Sequence, residues 1–424
     1  MDAQLIDPAE IKAVARERAA PIVDWLLAER VRATRMTHFM HNYCTRLREI
    51  GLPLERATFH IRQLHPQLLA TTVLWNREAG GAVELGREHG IENQPFFQKS
   101  PINVVFSTGE SYRRRLNDGR PFEFPILQDL AEQGMTDYVV NLIPFSGSHP
   151  AAHSLATREP NGFSDLDLAI MDAITPTLGA VLELSETRRT AQTLLNTYVG
   201  RQAGKRVLKG RIKRGDGDII EAVIWVSDLR GFTEFSETAG LQDVIAHLNT
   251  YFDCIGQAIE RHGGEILKFI GDAVLAIFTS EPGEDALVAA STRAATAARE
   301  ALAELTALNA SRREQGLPLI QCGIGLHVGE VMYGNIGAAD RLDFTVIGPA
   351  VNRAARLETL TAELGLPVLA SREFAEMTNQ TCHPLGAFTL KGIGRPQEVY
   401  DLAGCTNAMP VPGVKEDVVG RATA

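Results

Sequence analysis

The stretch that decides the fold runs Ile219-Ile220-Glu221-Ala222-Val223-Ile224-Trp225-Val226 and continues into Ser227-Asp228-Leu229-Arg230-Gly231-Phe232-Thr233. Its first eight residues are almost continuously apolar and rich in β-branched side chains, the composition of a strand buried on both faces. A carboxylate that follows such a strand is held at its end. Downstream, Val244, Leu248, Phe252, Ile255 and Ile259 recur at helical spacing, and Gly263-Gly264 stop the helix they predict. Glu265–Phe269 and Ala273–Phe278 flank Gly271-Asp272 and predict a β-hairpin with a second carboxylate at its tip. The Ala-rich stretch Glu284–Glu304 predicts another long helix, and Ile320–Val328 a further strand.

Strand, helix, hairpin, helix, strand is the order of a ferredoxin-like βαββαβ core, an α+β fold, over residues 218–405. Upstream, Pro8 to about Arg48 is helical in character. Ala57–Leu64, Leu69–Trp75, a piece near Val104–Phe106, and Tyr138–Pro144 then have strand composition. Ser164 with Asp167 resembles a capping box that opens a helix carrying Leu166, Ile170, Met171, Ile174, Leu178, Val181 and Leu182, with Pro176 expected to bend it. The domains expected are a helical segment over 1–50, a mixed domain over 51–185, a helical and basic linker over 186–217, the core over 218–405 and a loose tail over 406–424. The linker carries Arg201, Lys205, Arg206, Lys209, Arg211, Lys213 and Arg214, nearly unopposed by acids, and reads as a solvated, signal-coupling segment.

A chain of 424 residues with 52 acidic and 42 basic side chains has a formal net charge of -10. Such a chain repels phosphate backbones and anionic lipid, which argues against nucleic-acid or membrane partners. No apolar run approaches the length needed to cross a bilayer, and the first residues lack a signal-peptide pattern, so a cytoplasmic location is expected. The five cysteines, Cys44, Cys254, Cys322, Cys382 and Cys405, form no CxxC pair and indicate neither disulfides nor a zinc site.

If the central strands pair, Asp228 and Asp272 come together. Adjacent carboxylates repel unless a cation lies between them, and hard oxygen donors suit Mg²⁺ or Mn²⁺ shared with substrate phosphates. Gly231 and the helix start at Phe232 and Thr233 add backbone N–H groups for a phosphate, so a nucleoside triphosphate is the natural guest. In Phe344-Thr345-Val346-Ile347-Gly348-Pro349-Ala350-Val351-Asn352-Arg353-Ala354-Ala355-Arg356-Leu357-Glu358, Pro349 suits the first turn of a helix. Asn352 and Arg356 then share one face, and Arg353 is turned away.

The segments SDLRGFTEFSE, LKFIGDAVLAIF, GLHVGEVMYGNIG and DFTVIGPAVNRAARLE resemble, in order and spacing, the signature blocks of the class III nucleotidyl cyclases. The resemblance covers Asp218 to Ala403 and implies roles for matching positions. Asp228, Asp272 and the backbone of Leu229 would hold two metal ions per site, Mg²⁺ or Mn²⁺. Lys268 and Thr345 would read the base, Asn352 would orient the ribose, Arg356 would stabilise the transition state, and Phe232, Thr233 and Lys391 would bind the triphosphate. Thr345 departs from the aspartate of many adenylate cyclases and matches the threonine-bearing subgroup. Lys268 can only donate, which suits adenine N1 and confronts the guanine N1–H, so ATP is the expected substrate and cyclic AMP the product. A guanylate cyclase, or a catalytically silent nucleotide-binding regulator, is the alternative. The resemblance implies a homodimer with two shared sites, Asp228, Asp272 and Lys268 coming from one chain and Thr345, Asn352 and Arg356 from the other.

Residues 51–185, with LIPFSGSHPAAHSL and FSDLDLAIMDAI near their end, resemble a GAF-like sensory domain, implying an unknown small-molecule, redox or gas ligand. His60, His65, His149 and His153 are candidate haem or metal ligands, but their spacing is not diagnostic and ordinary hydrogen-bonded or surface histidines are the favoured reading.

Overall fold

The computed structural model describes residues 7–29, 35–147, 149–279, 283 and 285–405, and the chain divides into two units, Met1–Leu194 and Leu195–Ala424. The tail expected over 406–424 and the first six residues lie outside the described residues.

In the first unit, helices α1 (Pro8–Glu29) and α2 (Met36–Glu49) precede strands β1 (Arg56–Arg62), β2 (Leu68–Asn76) and β3 (Gly81–Glu88). Short helices α3 (Pro95–Gln98) and α4 (Pro101–Thr108), strand β4 (Tyr112–Arg115), helix α5 (Pro125–Glu132), strands β5 (Asp137–Ile143) and β6 (Ala151–Thr157) and the long helix α6 (Asp165–Val199) follow. The six strands form one antiparallel sheet in the order β3-β2-β1-β6-β5-β4. Strict alternation in β1 sorts the faces: Ala57, Phe59 and Ile61 join α1, α2 and α6 in an apolar core, and Arg56, Thr58, His60 and Arg62 line the opposite face.

Ser164 opens α6 as expected: the Asp167 N–H donates to Ser164 Oγ at 3.2 Å and the Ser164 N–H to Asp167 Oδ2 at 2.9 Å. The helix continues through Pro176. Two expectations are corrected. Val104–Phe106 is not a strand but part of α4, because Ser100 accepts from the Asn103 N–H at 3.2 Å and Pro101 fills the first turn, local helix-start chemistry that overrides β-branched composition. Among the described residues α6 is long and apolar enough to cross a membrane; its Ile170, Met171, Ile174, Leu178, Val181 and Leu182 are buried in the core of the first unit.

The second unit begins with α7 (Arg201–Leu208), then β7 (Gly217–Leu229), α8 (Phe232–Thr238), α9 (Leu241–Arg261), β8 (Gly264–Ile270), β9 (Ala273–Phe278), α10 (Ala286–Glu314) and β10 (Cys322–Gly337). It ends with β11 (Leu342–Ile347), α11 (Pro349–Leu364), β12 (Val368–Ser371), α12 (Arg372–Met377), β13 (Cys382–Phe388) and β14 (Gln397–Leu402). Its central strands lie in the order β10-β7-β9-β8, the antiparallel arrangement expected for the βαββαβ core, and β12, β14 and β13 extend the sheet while β11 pairs with β10. β7 is buried on both faces. Val223 and Trp225 pack with α9 and α10, and Ala222 and Ile224 pack with α7 and α11. Helix α10 and strand β10 run about ten residues past their sequence-based ends.

The basic linker is less unopposed than its sequence suggests, since Asp218 takes Arg206 and Arg211 at 2.8 Å each. The buried Glu265 on β8 accepts from the N–H groups of Gln202 and Ala203 at 3.0 and 3.2 Å and from the Tyr333 hydroxyl at 2.7 Å, fixing the start of α7 on the sheet. Helix α11 presses directly on β10: a Cβ at Gly325 would stand 2.2 Å from the Ala354 carbonyl oxygen and 2.5 Å from the Glu358 nitrogen. Gly325→Ala should therefore push α11 off the sheet at a cost of about 1–3 kcal/mol, read as a lower Tm in calorimetry of the full chain.

Candidate active site

Antiparallel register brings the two acids together. Ser227 on β7 faces Val274 on β9, so Asp228 lies against the start of β9, one residue from Asp272 in the two-residue loop between Ile270 and Ala273. Gly271 supplies the positive φ, 64°, that this tight turn requires. The Asp228 carboxyl is pushed up to about 7, first by burial, then by a hydrogen bond and like charge from Asp272 and the charge of Glu358. The Leu229 N–H, 3.1 Å from Asp228 Oδ1, opposes the shift.

This pair fits a divalent cation. Two hard oxygen groups that resist joint ionisation are those a cation would relieve, and Asp228, Asp272 and the Leu229 backbone would hold it. Glu358, which the sequence reading passed over as the last residue of its motif, is buried on α11 and pairs with Arg230 at 3.1 Å, with Arg230 also bonded to Thr361. Burial raises the Glu358 pKa, against the pull of Arg230.

β11 alternates as a surface strand: Phe344 and Val346 face the core, which leaves Asp343 and Thr345 together on the other side. Lys268 Nζ on β8 forms an ion pair with Asp343 of the same chain. The sequence reading put Lys268 and Thr345 on different chains of a dimer; within one chain Lys268 reaches the face of β11 that carries Thr345. Asp343 was invisible to motif reading because its pairing depends on strand packing across 75 residues.

Pro349 opens α11, and Asn352 and Arg356 both lie on its exposed face, while Ala354, Leu357 and Glu358 are buried. Among the described residues neither Asn352 nor Arg356 makes a hydrogen bond or ion pair, and neither meets Asp228 or Asp272; Arg353 instead pairs with Glu373 at 3.5 Å. Phe232 and Thr233 begin α8 directly after Gly231. Lys391 is exposed between β13 and β14.

Of the histidines, His60 has both ring nitrogens hydrogen-bonded, Nε2 to Thr58 at 2.8 Å and Nδ1 to Thr72 at 3.3 Å. His65 Nδ1 accepts from the Gln67 and Leu68 N–H groups at 3.1 and 3.2 Å. His153 is buried with neither nitrogen paired, and burial pushes it down to about 4.

A carboxyl whose folded pKa exceeds its unfolded value of about 3.9 costs no stability below that value, and its penalty grows as pH rises through about 7 for Asp228. Asp272→Asn removes the neighbouring charge. In chelator-treated protein this variant should melt above wild type at pH 8 and alongside it at pH 4, as measured by calorimetry.

The sequence model of the adenylate and guanylate cyclase catalytic domain matches residues 218–404. Adenylate cyclase 1 of Rhizobium meliloti (strain 1021) is 28% identical over 292 residues, 67% of this chain and 44% of that protein. The adenylate cyclase of Anabaena cylindrica is 36% identical over 192 residues, 44% of this chain and 36% of that protein. The chain thus spans less than half the length of these two relatives. A solved bacterial light-regulated adenylyl cyclase is 32% identical, covering 45% of this chain and 93% of its own with a TM-score of 0.40. The acid pair at the end of β7, the four signature segments and the family match lead to one conclusion: residues 218–404 belong to the class III adenylate and guanylate cyclase catalytic domain family.

Proposed function

We propose that this chain is an adenylate cyclase that converts ATP to 3′,5′-cyclic AMP and pyrophosphate in the cytoplasm. The observation that carries the reading is the convergence of Asp228 and Asp272, two acids that a triphosphate-bound cation would satisfy. The family includes both purine specificities, so the choice of ATP rests on Lys268, a pure donor suited to adenine N1. Its Asp343 partner would hold the ammonium along β11, beside the Thr345 hydroxyl.

Bound at Asp228 and Asp272, two Mg²⁺ or Mn²⁺ ions would neutralise the triphosphate and lower the pKa of the ribose 3′-hydroxyl. Asn352 orients the ribose so that its 3′-oxygen faces the α-phosphorus. The new bond forms as the bond from the α-phosphorus to the bridging oxygen breaks, pyrophosphate leaves, and the hydroxyl proton is released. Arg356 donates to the α-phosphoryl oxygens as charge builds on them. Lys391 and the N–H groups at Phe232 and Thr233 hold the remaining phosphates.

Asn352 and Arg356 are exposed and unpartnered among the described residues, a condition that supports a head-to-tail homodimer with two shared sites. Asp228 and Asp272 would come from one chain, and Lys268, Thr345, Asn352 and Arg356 from the other. The first unit acts as a GAF-like sensor, and α6 and α7 carry its state to the catalytic unit.

Purified protein incubated with ATP or GTP and Mn²⁺ or Mg²⁺ should make cyclic AMP faster than cyclic GMP, as read by chromatography. A faster GTP reaction would overturn the substrate assignment. Arg356→Ala should bind ATP nearly normally and turn over on the order of 10²-fold more slowly. Equal mixtures of Asp272→Ala and Arg356→Ala chains should recover about a quarter of wild-type activity if chains exchange at random, because half the dimers would hold one intact site of two. No recovery would count against shared sites.

A further inference from the structure

The first unit contains a cavity of about 720 Å³ between the polar face of its sheet and the helices α3, α4 and α5, within the size range of sites for small organic molecules. Its two sides differ in chemistry. The helical side presents Phe96, Phe97, Ile102 and Phe106, and the sheet side presents Arg56, Thr58, His60, Thr72 and Arg87. On that floor one hydrogen-bonded chain crosses four strands: Ser154 to Thr58 at 2.5 Å, Thr58 to His60 at 2.8 Å, His60 to Thr72 at 3.3 Å, and Arg87 to Thr72 at 3.4 Å. An outward polar face on a sheet ordinarily meets water. Here it is roofed over.

The charge of this cavity is unbalanced. Arg56, Arg62, Arg87 and Lys99 line it against the carboxylates of Glu92 and Asp129, and among the described residues none of the four cations makes a salt bridge. Arg87 reaches Thr72, the partner of His60 Nδ1, and Arg56 lines the same floor; burial first, then the charges of Arg56 and Arg87, push His60 down to about 3, so its imidazole is neutral. Burial also lowers the pKa of Arg56 itself. A desolvated guanidinium without an anion is costly, and a bidentate carboxylate or phosphate is the partner its planar fork best accepts. With both His60 nitrogens engaged, haem or metal ligation by this residue would break the chain. At the rim, Leu85 and Phe96 are 41% and 61% exposed, apolar surface that a bound ligand would cover.

We propose that this cavity binds a small organic anion, its carboxylate or phosphate held between Arg56 and Arg87 on the sheet and its apolar, preferably aromatic, body lying under Phe97 and Phe106. This inference rests on the sensor reading only for its regulatory consequence; the binding itself is independent of cyclase activity.

Isothermal titration of the full-length chain tests it with 4-phenylbutyrate, its neutral amide, phenyl phosphate and inorganic phosphate. Binding of 4-phenylbutyrate or of phenyl phosphate at least tenfold tighter than both the amide and inorganic phosphate is expected, and which of the two binds better identifies the charged group. Arg87→Gln, on the edge strand β3, should weaken that binding about tenfold, and Arg87→Lys should restore part of it; Arg56→Gln should match Arg87→Gln wherever it folds. An amide that binds as well as the acid, inorganic phosphate that binds as well as either organic anion, no binding by either organic anion at millimolar concentration, or unchanged affinity in Arg87→Gln would each overturn the proposal. Because the readout is heat of binding, a failed cyclase assay leaves this result untouched.

Discussion

The catalytic unit is organised around an electrostatic conflict. Antiparallel pairing of β7 with β9 and a two-residue turn force Asp228 and Asp272 against each other, and burial makes their mutual repulsion expensive. A fold that only needed stability would place apolar or neutral groups there. Keeping two acids in contact makes sense where a cation and its phosphate ligands complete the site, and the surrounding structure then has to hold the ends of β7 and β9 rigid.

That rigidity comes from close backbone contact. Strand β7 is buried on both faces, small side chains along α10 such as Ala290, Ala294 and Ala298 bring that helix near the sheet, and Gly325 lets α11 approach β10 with no side chain between them. Arg230 ties the strand end to α11 through Glu358 and Thr361. One consequence is that the acids and the helix bearing Asn352 and Arg356 cannot shift independently. A second is that Glu265, by holding the first turn of α7 three residues before Lys268 on β8, puts the incoming helix on the strand that carries Lys268.

The first unit uses alternation differently. The apolar half of β1 builds a core with α1, α2 and α6, while its polar half, partly roofed by short helices, leaves an excess of positive charge in the cavity beneath them. Stability alone does not call for that arrangement, because a guanidinium without a counter-ion loses hydration for nothing in return. It is the counterpart, with opposite sign, of the acid pair in the catalytic unit.

The sequence by itself determined what depends on local pattern. Apolar periodicity fixed β7, α9 and the β8–β9 hairpin, Ser164 and Asp167 fixed the start of α6, Pro349 fixed the start of α11, and the order of these elements with the signature segments fixed the class of the catalytic domain. It misread Val104–Phe106, where β-branched composition competed with a Ser-Pro helix start, and it did not register β3, β4, β6 and β11 to β14, whose short or mixed patterns carry little periodic signal. Only the tertiary structure decided what depends on non-local packing: that Lys268 meets Asp343 and the Thr345 face of its own chain, that Glu358 stands beside the acid pair, and that a polar sheet face is covered to make a charged cavity. The physical reason is the same in each case. A residue's neighbours along the chain set its secondary structure, but its charge partners and its solvent are set by strands and helices tens of residues away.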